Sequence, residues 1–293
     1  MNNNVSYMRS ETPDLYGIKE LQNKILEIMV YLDDFCRKNN IKYYLMGGSA
    51  LGAIRHHGFI PWDDDIDIFI PYIDYLRFQK CCEEQLDKNR FYFQKGDTEE
   101  LPNYLCKIRM NNTTYIEEGN KNRPWMHQGI FVDVICLNNA APRGLKRKIQ
   151  YFCAGLLKAK VVAQSSYKTK NKRKAFKLFI ANLIVRGCIK KLLYHQVVKY
   201  NRIKTIEVAH VFGRAKFVNS FYPANDFKNQ VYVDFEKVQL AVPNGVDDYL
   251  KIRYGDEYMK MPDEKTKKSY ENHAFIWSTV ENYSNFIDEW LKK

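Results

Sequence analysis

The 293-residue sequence has no run approaching the roughly 18 apolar residues of a membrane-spanning helix. Its opening stretch, MNNNVSYMRSETPD, has neither an apolar signal region nor a basic transit pattern. Neither secretion nor membrane spanning is expected. The seven cysteines (36, 81, 82, 106, 136, 153 and 188) are odd in number, scattered and often set in apolar runs such as DVICL. No disulfide framework is expected; buried free thiols in a reducing compartment are. His127, His195, His210 and His273 share no metal-ligand spacing with each other or with the cysteines, which argues against a zinc site. No serine sits in a nucleophile-elbow pattern, so direct transfer is favoured over a covalent enzyme intermediate.

A further absence is local. Between Arg143 and Lys204 there are 18 Lys or Arg and no Asp or Glu. The whole chain carries 46 basic and 34 acidic residues, a net charge of +12, so the remainder holds 28 against 34, or −6. One segment carries the entire excess.

The length supports a sizeable core in one large domain or two small ones. The chain divides by character into a core over 1–140, a basic helical insertion over 141–205 and a return to the core over 206–293. Ile18, Leu21, Ile25, Ile28, Met29, Leu32, Phe35 and Cys36 recur at helical spacing and predict an amphipathic helix of about 20 residues ending near KNN. IKYYLM reads as a strand. Gly47-Gly48-Ser49 then reads as a turn whose serine caps a short helix. DIDIFI alternates polar and apolar residues as a strand does, and Pro71 opens a helix carried inward by Ile73, Leu76, Phe78 and Cys82. Further strands are expected at RFYFQ, YLCKIRM, TTYIEE and GIFVDVICL, the last nearly all apolar and so central in a sheet. VYVDFEKVQLAVP reads as strand and GVDDYLKIRYG as a short helix stopped by Gly255.

The stretch MGGSALGAIRHHGFIPWDDDIDIFI brings these features together. On an extended chain Asp63, Asp65 and Asp67 share one side, about 7 Å apart per two-residue step, while Ile66, Ile68 and Ile70 enter the core. Asp64 points the other way, toward a cap or salt bridge. Neighbouring carboxylates raise each other's pKa unless a cation neutralises them, and Mg²⁺ or Mn²⁺, ligated by oxygen, is the cation that suits. A calcium-binding EF loop is excluded because its glycine and glutamate positions hold Ile68 and Asp74. A solvated acidic edge is disfavoured by the half-buried alternation of IDIFI. Strand, Gly-Gly-Ser and helix start form a place where backbone N–H groups meet phosphate. Phosphate beside metal-binding carboxylates is a site for phosphoryl chemistry.

Gly47-Gly48-Ser49 followed by Asp65-Ile66-Asp67-Ile68 resembles the signature of the nucleotidyltransferase superfold, and GGSALGAIRHHGFIPWDDDIDI is very similar to that of the LicD family, which includes the fukutin-related transferases. GIFVDVICLNN and VPNGVDDYLKIRYGDEYMKMP supply two further family-like blocks in the same order. The resemblance implies an α/β fold: a nucleotidyltransferase-like mixed β-sheet flanked by helices, with the basic helical insertion added. It implies a metal-dependent phosphotransferase that moves phosphocholine, or a related alcohol phosphate, from a CDP-activated donor such as CDP-choline to a hydroxyl of a cell-surface glycan, releasing CMP. An NTP-using nucleotidyltransferase is the nearest alternative, and a non-catalytic membrane scaffold a more distant one.

By the resemblance Asp65 and Asp67 serve the metal, and Asp133, polar inside an apolar strand, is the candidate third carboxylate. Asp133 is metal ligand, general base or a buried acid paired with a Lys or Arg. Asp63 is read as a substrate-side residue, Arg55 as a bidentate grip on a donor phosphate, and His57 as its neighbour. Trp62 is a packing anchor, or an aromatic cover for a quaternary ammonium. The basic segment alternates cationic clusters with apolar ones such as Leu178, Phe179, Leu183 and Ile184. That pattern suits an anionic membrane surface; a solvated helical rim and nucleic acid are the competing readings, the last the weakest. The expected location is cytoplasmic, peripheral to the inner face of the membrane.

Overall fold

The computed structural model describes residues 14, 16–120, 123–165, 167, 169–263, 266–267 and 273–287. Residues 1–13, most of the stretch read above for targeting signals, lie outside the described residues.

Helix α1 (Lys19–Lys38) buries Leu21, Ile25, Ile28, Met29, Leu32, Phe35 and Cys36, and Ile18 just before it is buried too. Its stripe is the one the periodicity predicts. The main sheet contains β1 (Tyr44–Leu45), β2 (Asp67–Pro71), β3 (Phe91–Gln94), β4 (Leu105–Met110) and β6 (Phe131–Asn139), ordered β1-β2-β6-β4-β3. β6 is central, as its apolar run requires, and β2 pairs with it in parallel while β1 and β4 pair antiparallel with their neighbours. The fold is thus a mixed sheet flanked by helices. At the far end of β6 the sheet continues through β7 (Glu207–Ala209) and β8 (Phe221–Pro223). β5 (Thr114–Glu117) pairs with β11 (Ala274–Ser278), and β9 (Gln230–Phe235) with β10 (Val238–Pro243) as a hairpin.

Between β6 and β7 stand α4 (Leu145–Gln164), α5 (Lys172–Ile184) and α6 (Gly187–Val198). They gather a second small core of Cys153, Ala154, Leu157, Ala181, Val185 and Val197, joined by Ala209, Val211 and Phe221 from the returning chain. Phe152, Phe176, Phe179, Leu183 and Leu192 remain exposed among the cations. Among the described residues no helix is long and apolar enough to cross a membrane. All seven cysteines are free, and only Cys188 is exposed.

Three local expectations need correction. The predicted strand at IKYYLM contracts to Tyr44–Leu45, and β2 starts at Asp67 rather than Asp65. Asp63 to Ile66 lie outside the ladder, save that the Ile66 carbonyl accepts from the Asp133 N–H at 3.0 Å. Second, Pro71 closes β2 and caps the helix that follows, α3 (Tyr72–Gln85), instead of forming its first residue. Third, Ile73 and Leu76 of α3 are exposed. The buried face is Tyr75, Phe78, Cys81 and Cys82, because the Tyr75 hydroxyl meets Cys106 Sγ at 3.0 Å and Phe78 lies edge-on to Phe35 and Phe93.

His127 is fixed in its neutral form. Its Nδ1 accepts from the Gly129 N–H at 3.1 Å, Nε2 meets Asn111 Oδ1 at 3.1 Å, and the ring stacks on Tyr92 at 4.7 Å. Burial, and then the charge of Arg109, bring its pKa down to about 3. A folded-state value below the unfolded 6.5 means that the unfolded chain takes up the proton first, so this contribution to stability is present above about pH 6.5 and is lost as pH falls toward 3. Thermal melts of the protein and of His127→Gln should therefore differ most at pH 7 and converge by pH 4. A difference that holds constant across that range would contradict a neutral buried imidazole.

Candidate active site

Helix α2 (Gly47–His56) begins directly after β1, with Met46 as its N-cap and no side-chain cap. Ser49 does not cap it; its hydroxyl accepts from the Asp67 N–H at 2.9 Å, and the Met46 N–H donates to the Asp67 carbonyl at 3.0 Å. The first turn of α2 is thereby bound to the first residue of β2. Gly47 has φ +55°, a conformation that glycine adopts without strain. Its N–H is taken by the Tyr249 hydroxyl at 2.8 Å, from α7 (Val246–Tyr254). By helix geometry the N–H groups of Gly48 and Ser49 have no acceptor within the helix, an arrangement that suits an anion.

Gly48 has a second purpose. A Cβ there would stand 2.5 Å from Asp63 Oδ2, and one on Gly47 would stand 3.9 Å from Asp67 Oδ2. The glycines admit carboxylates to the backbone at the helix start. Gln22 of α1 fixes the approach of the acidic stretch by donating to the carbonyls of Ile60 at 3.3 Å and Asp63 at 2.9 Å. Beyond it the burial alternates: Asp63, Asp65 and Asp67 are half-buried on one side, and Asp64, Ile66 and Ile68 are buried on the other.

Asp67 and Asp133 are direct partners in the parallel β2–β6 register. Burial raises the pKa of both, and for Asp67 the charges of Asp65, Asp133 and Asp63 raise it further, well above the carboxylate range. Asp63 is also held well above that range, by burial and then by Asp65 and Asp64. Asp65 is brought to about 6 by burial, with His273 opposing and Asp64 and Asp133 adding. Asp133 itself is paired: Lys107 Nζ lies 2.9 Å from its Oδ1 and 3.4 Å from Glu117 Oε2. The buried Arg109 lies beside them, donating to Gln94 Oε1 and the Gly129 carbonyl, both at 2.7 Å. Asp64 accepts from the His273 N–H at 2.7 Å and meets its Nδ1 at 2.8 Å, and that bond lifts the imidazole to about 9, so it is charged at neutral pH. His273 also stands 3.8 Å from Asp65 Oδ2. Asp63 and Asp67 have no ion-pair partner among the described residues.

Among the described residues no group of three or more His, Cys, Asp or Glu side chains is arranged to hold a metal ion. The donor set present is two carboxylates, Asp65 and Asp67, with Asp133 already engaged by Lys107. Magnesium is commonly held in that way, by one or two carboxylates, water and substrate phosphates rather than by a protein cage. Buried carboxylates that repel one another fit such a cation.

Arg55 and His57 stand elsewhere in the fold from that expected for a phosphate grip. Arg55 Nη1 donates to the carbonyls of Tyr258 at 3.0 Å and Lys260 at 3.2 Å, tying α2 to the segment after α7. His57 is exposed in the left-handed conformation at the C-cap, a helix of ten residues or about 15 Å from Gly47. Trp62 is buried against Tyr16 as a packing anchor. Gln22, Lys107 and His273 escape a reading of the sequence because no motif surrounds them, and Tyr249, although inside a family-like block, because nothing local ties it to Gly47.

Gly48→Ala should separate site from fold. Alanine suits the helix better by about 1 kcal/mol, while its methyl displaces the Asp63 carboxylate. Calorimetry should show a melting temperature equal to or above that of the parent together with a turnover at least tenfold lower. Parent-like turnover would show that the close approach of Asp63 has no bearing on the chemistry.

Residues 40–129 match the model described as the LicD/FKTN/FKRP nucleotidyltransferase domain. The sequence is 26% identical over 268 residues to a lipopolysaccharide cholinephosphotransferase LicD of Haemophilus influenzae, covering 86% of this chain and 95% of that one. A shorter stretch of 44 residues, 15% of this chain and 8% of the relative, is 48% identical to the ribitol 5-phosphate transferase FKRP of Homo sapiens.

Proposed function

We propose that the chain, similar over residues 40–129 to the LicD/FKTN/FKRP nucleotidyltransferase domain and over most of its length to a LicD protein, is a member of that family and transfers an alcohol phosphate, phosphocholine first among them, from a CDP-activated donor to a hydroxyl of a cell-surface glycan, releasing CMP. The observation that carries this reading is the pairing of Asp67 with Asp133 on neighbouring strands beside the glycine start of α2. The relative that is similar over most of its length is a cholinephosphotransferase.

In this reading the N–H groups of Gly48 and Ser49 hold a donor phosphate, and the Tyr249 hydroxyl fixes the turn that presents them. Asp65 and Asp67 would hold Mg²⁺ or Mn²⁺, which supplies charge neutralisation for the diphosphate and the departing CMP. Asp63 lies on the substrate side of the same row. Asp133, neutralised by Lys107 and so poorly suited to a further cation, accepts the proton of the acceptor hydroxyl as it attacks phosphorus in line. Lys107 orients that carboxylate and opposes the upward pull of burial on its pKa. Arg55 acts here by anchoring the segment after α7 against α2, and His57 by ending the helix. The basic segment from Arg143 to Lys204, with 18 cations, no acid and exposed phenylalanines, holds the enzyme at the anionic inner face of the membrane; nucleic acid is not a partner in this reading.

Incubation with CDP-choline, other CDP-alcohols, Mg²⁺ and a glycan acceptor should yield CMP and an acceptor heavier by an alcohol phosphate. Pyrophosphate release from an NTP, with a nucleotide left on the acceptor, would establish the alternative nucleotidyltransferase reaction. Asp65→Asn and Asp67→Asn should each lower turnover by a hundredfold or more while leaving the melting temperature unchanged or higher, since each removes a buried repelling charge. A lowered melting temperature with turnover retained would make these residues structural.

A further inference from the structure

A cavity of about 770 Å³ lies away from the carboxylates, between the chain leading into β4 and the ends of α4, α5 and α6. Lys160, Arg186 and Lys190 line it together with Tyr104 and Trp125, and Asp97 and Glu99 add two carboxylates. Two of the cations share a neutral partner: Lys160 Nζ and Arg186 Nε both donate to the Asn182 carbonyl, at 3.0 and 3.1 Å, and Lys160 also donates to Asn182 Oδ1 at 2.7 Å. Two like charges are thus brought together on one uncharged oxygen. Lys190 is paired with Asp97 at 2.5 Å. Lys160 is held below the usual lysine range by burial and then by the charges of Arg186 and Lys190. Such an arrangement lowers its own repulsion when an anion enters. Trp125 is 64% exposed, and an open indole face beside cations suits a ring that carries phosphate.

We infer that this cavity is a binding subsite for a phosphorylated sugar, with the phosphate on Lys160 and Arg186 and the sugar ring on Trp125. The inference rests on the glycan-directed reading above and adds to it a specificity element: the acceptor is an anionic, phosphate-bearing glycan.

Isothermal titration of the full chain with glucose 1-phosphate, glucose and CMP, with no donor present, tests it without recourse to transfer activity. Glucose 1-phosphate should bind and glucose should not. Lys160→Gln with Arg186→Gln, which keeps side-chain amides able to reach Asn182, should weaken glucose 1-phosphate tenfold or more and leave CMP binding and CDP-choline hydrolysis to CMP as in the parent. Trp125→Ala should weaken the sugar phosphate but not inorganic phosphate. Equal binding of glucose, no binding of glucose 1-phosphate at millimolar concentration, or loss of CMP binding in the double variant would each overturn the subsite. No CMP release from CDP-choline by the parent with a glycan acceptor present would refute the proposed donor chemistry while leaving the binding result standing.

Discussion

The placement of Asp63, Asp65 and Asp67 in a half-buried row against the start of α2 is the constraint to which the neighbouring structure responds. Three carboxylates withdrawn from water repel one another, and nothing in the hydrophobic core offsets that cost. The chain meets it locally. Gly48 leaves room for Asp63, Ser49 and Met46 bind both backbone polar groups of Asp67, and Gln22 holds the turn from Ile60 to Asp63. Each of these contacts secures position; none supplies positive charge.

Charge balance is complete around the row but not within it. Lys107 and Arg109 serve Asp133 and Glu117 on one flank, and the charged His273 serves Asp64 on the other. Glu117 and Asp64 are thus held below the usual carboxylate range, while Asp67 and Asp63 are pushed toward the protonated form. A fold that neutralises the flanks of an acidic cluster and leaves Asp63 and Asp67 without an ion-pair partner among the described residues is suited to take a cation there. The same contrast separates Asp133 from Asp67, although the two are direct partners on neighbouring strands.

Much of this was legible in the sequence, for identifiable reasons. The α1 stripe and the alternation of the aspartates are periodic, and periodicity depends only on near neighbours. The inward direction of Asp64 followed from the same alternation. The face of α3 was misjudged because Ile73 and Leu76 are as apolar as the residues that were buried; what decides the face is Cys106, on a different strand. The partners of the site were hidden for the same reason. Tyr249 reaches Gly47 across 202 residues and His273 reaches Asp64 across 209, distances over which no local pattern extends. Ser49 was given a cap role that helix propensity suggests, and the strand beside it claimed the hydroxyl instead.

The central claim is that Asp65 and Asp67 take a divalent cation jointly with the diphosphate of a donor, not as a preformed protein cage. Mn²⁺ binding followed by electron paramagnetic resonance, with and without CDP, tests it directly. The account predicts weak Mn²⁺ binding by the protein alone, at least tenfold tighter binding when CDP is present, and loss of that gain in Asp67→Asn. Tight Mn²⁺ binding that is indifferent to CDP, or a gain that survives Asp67→Asn, would contradict it.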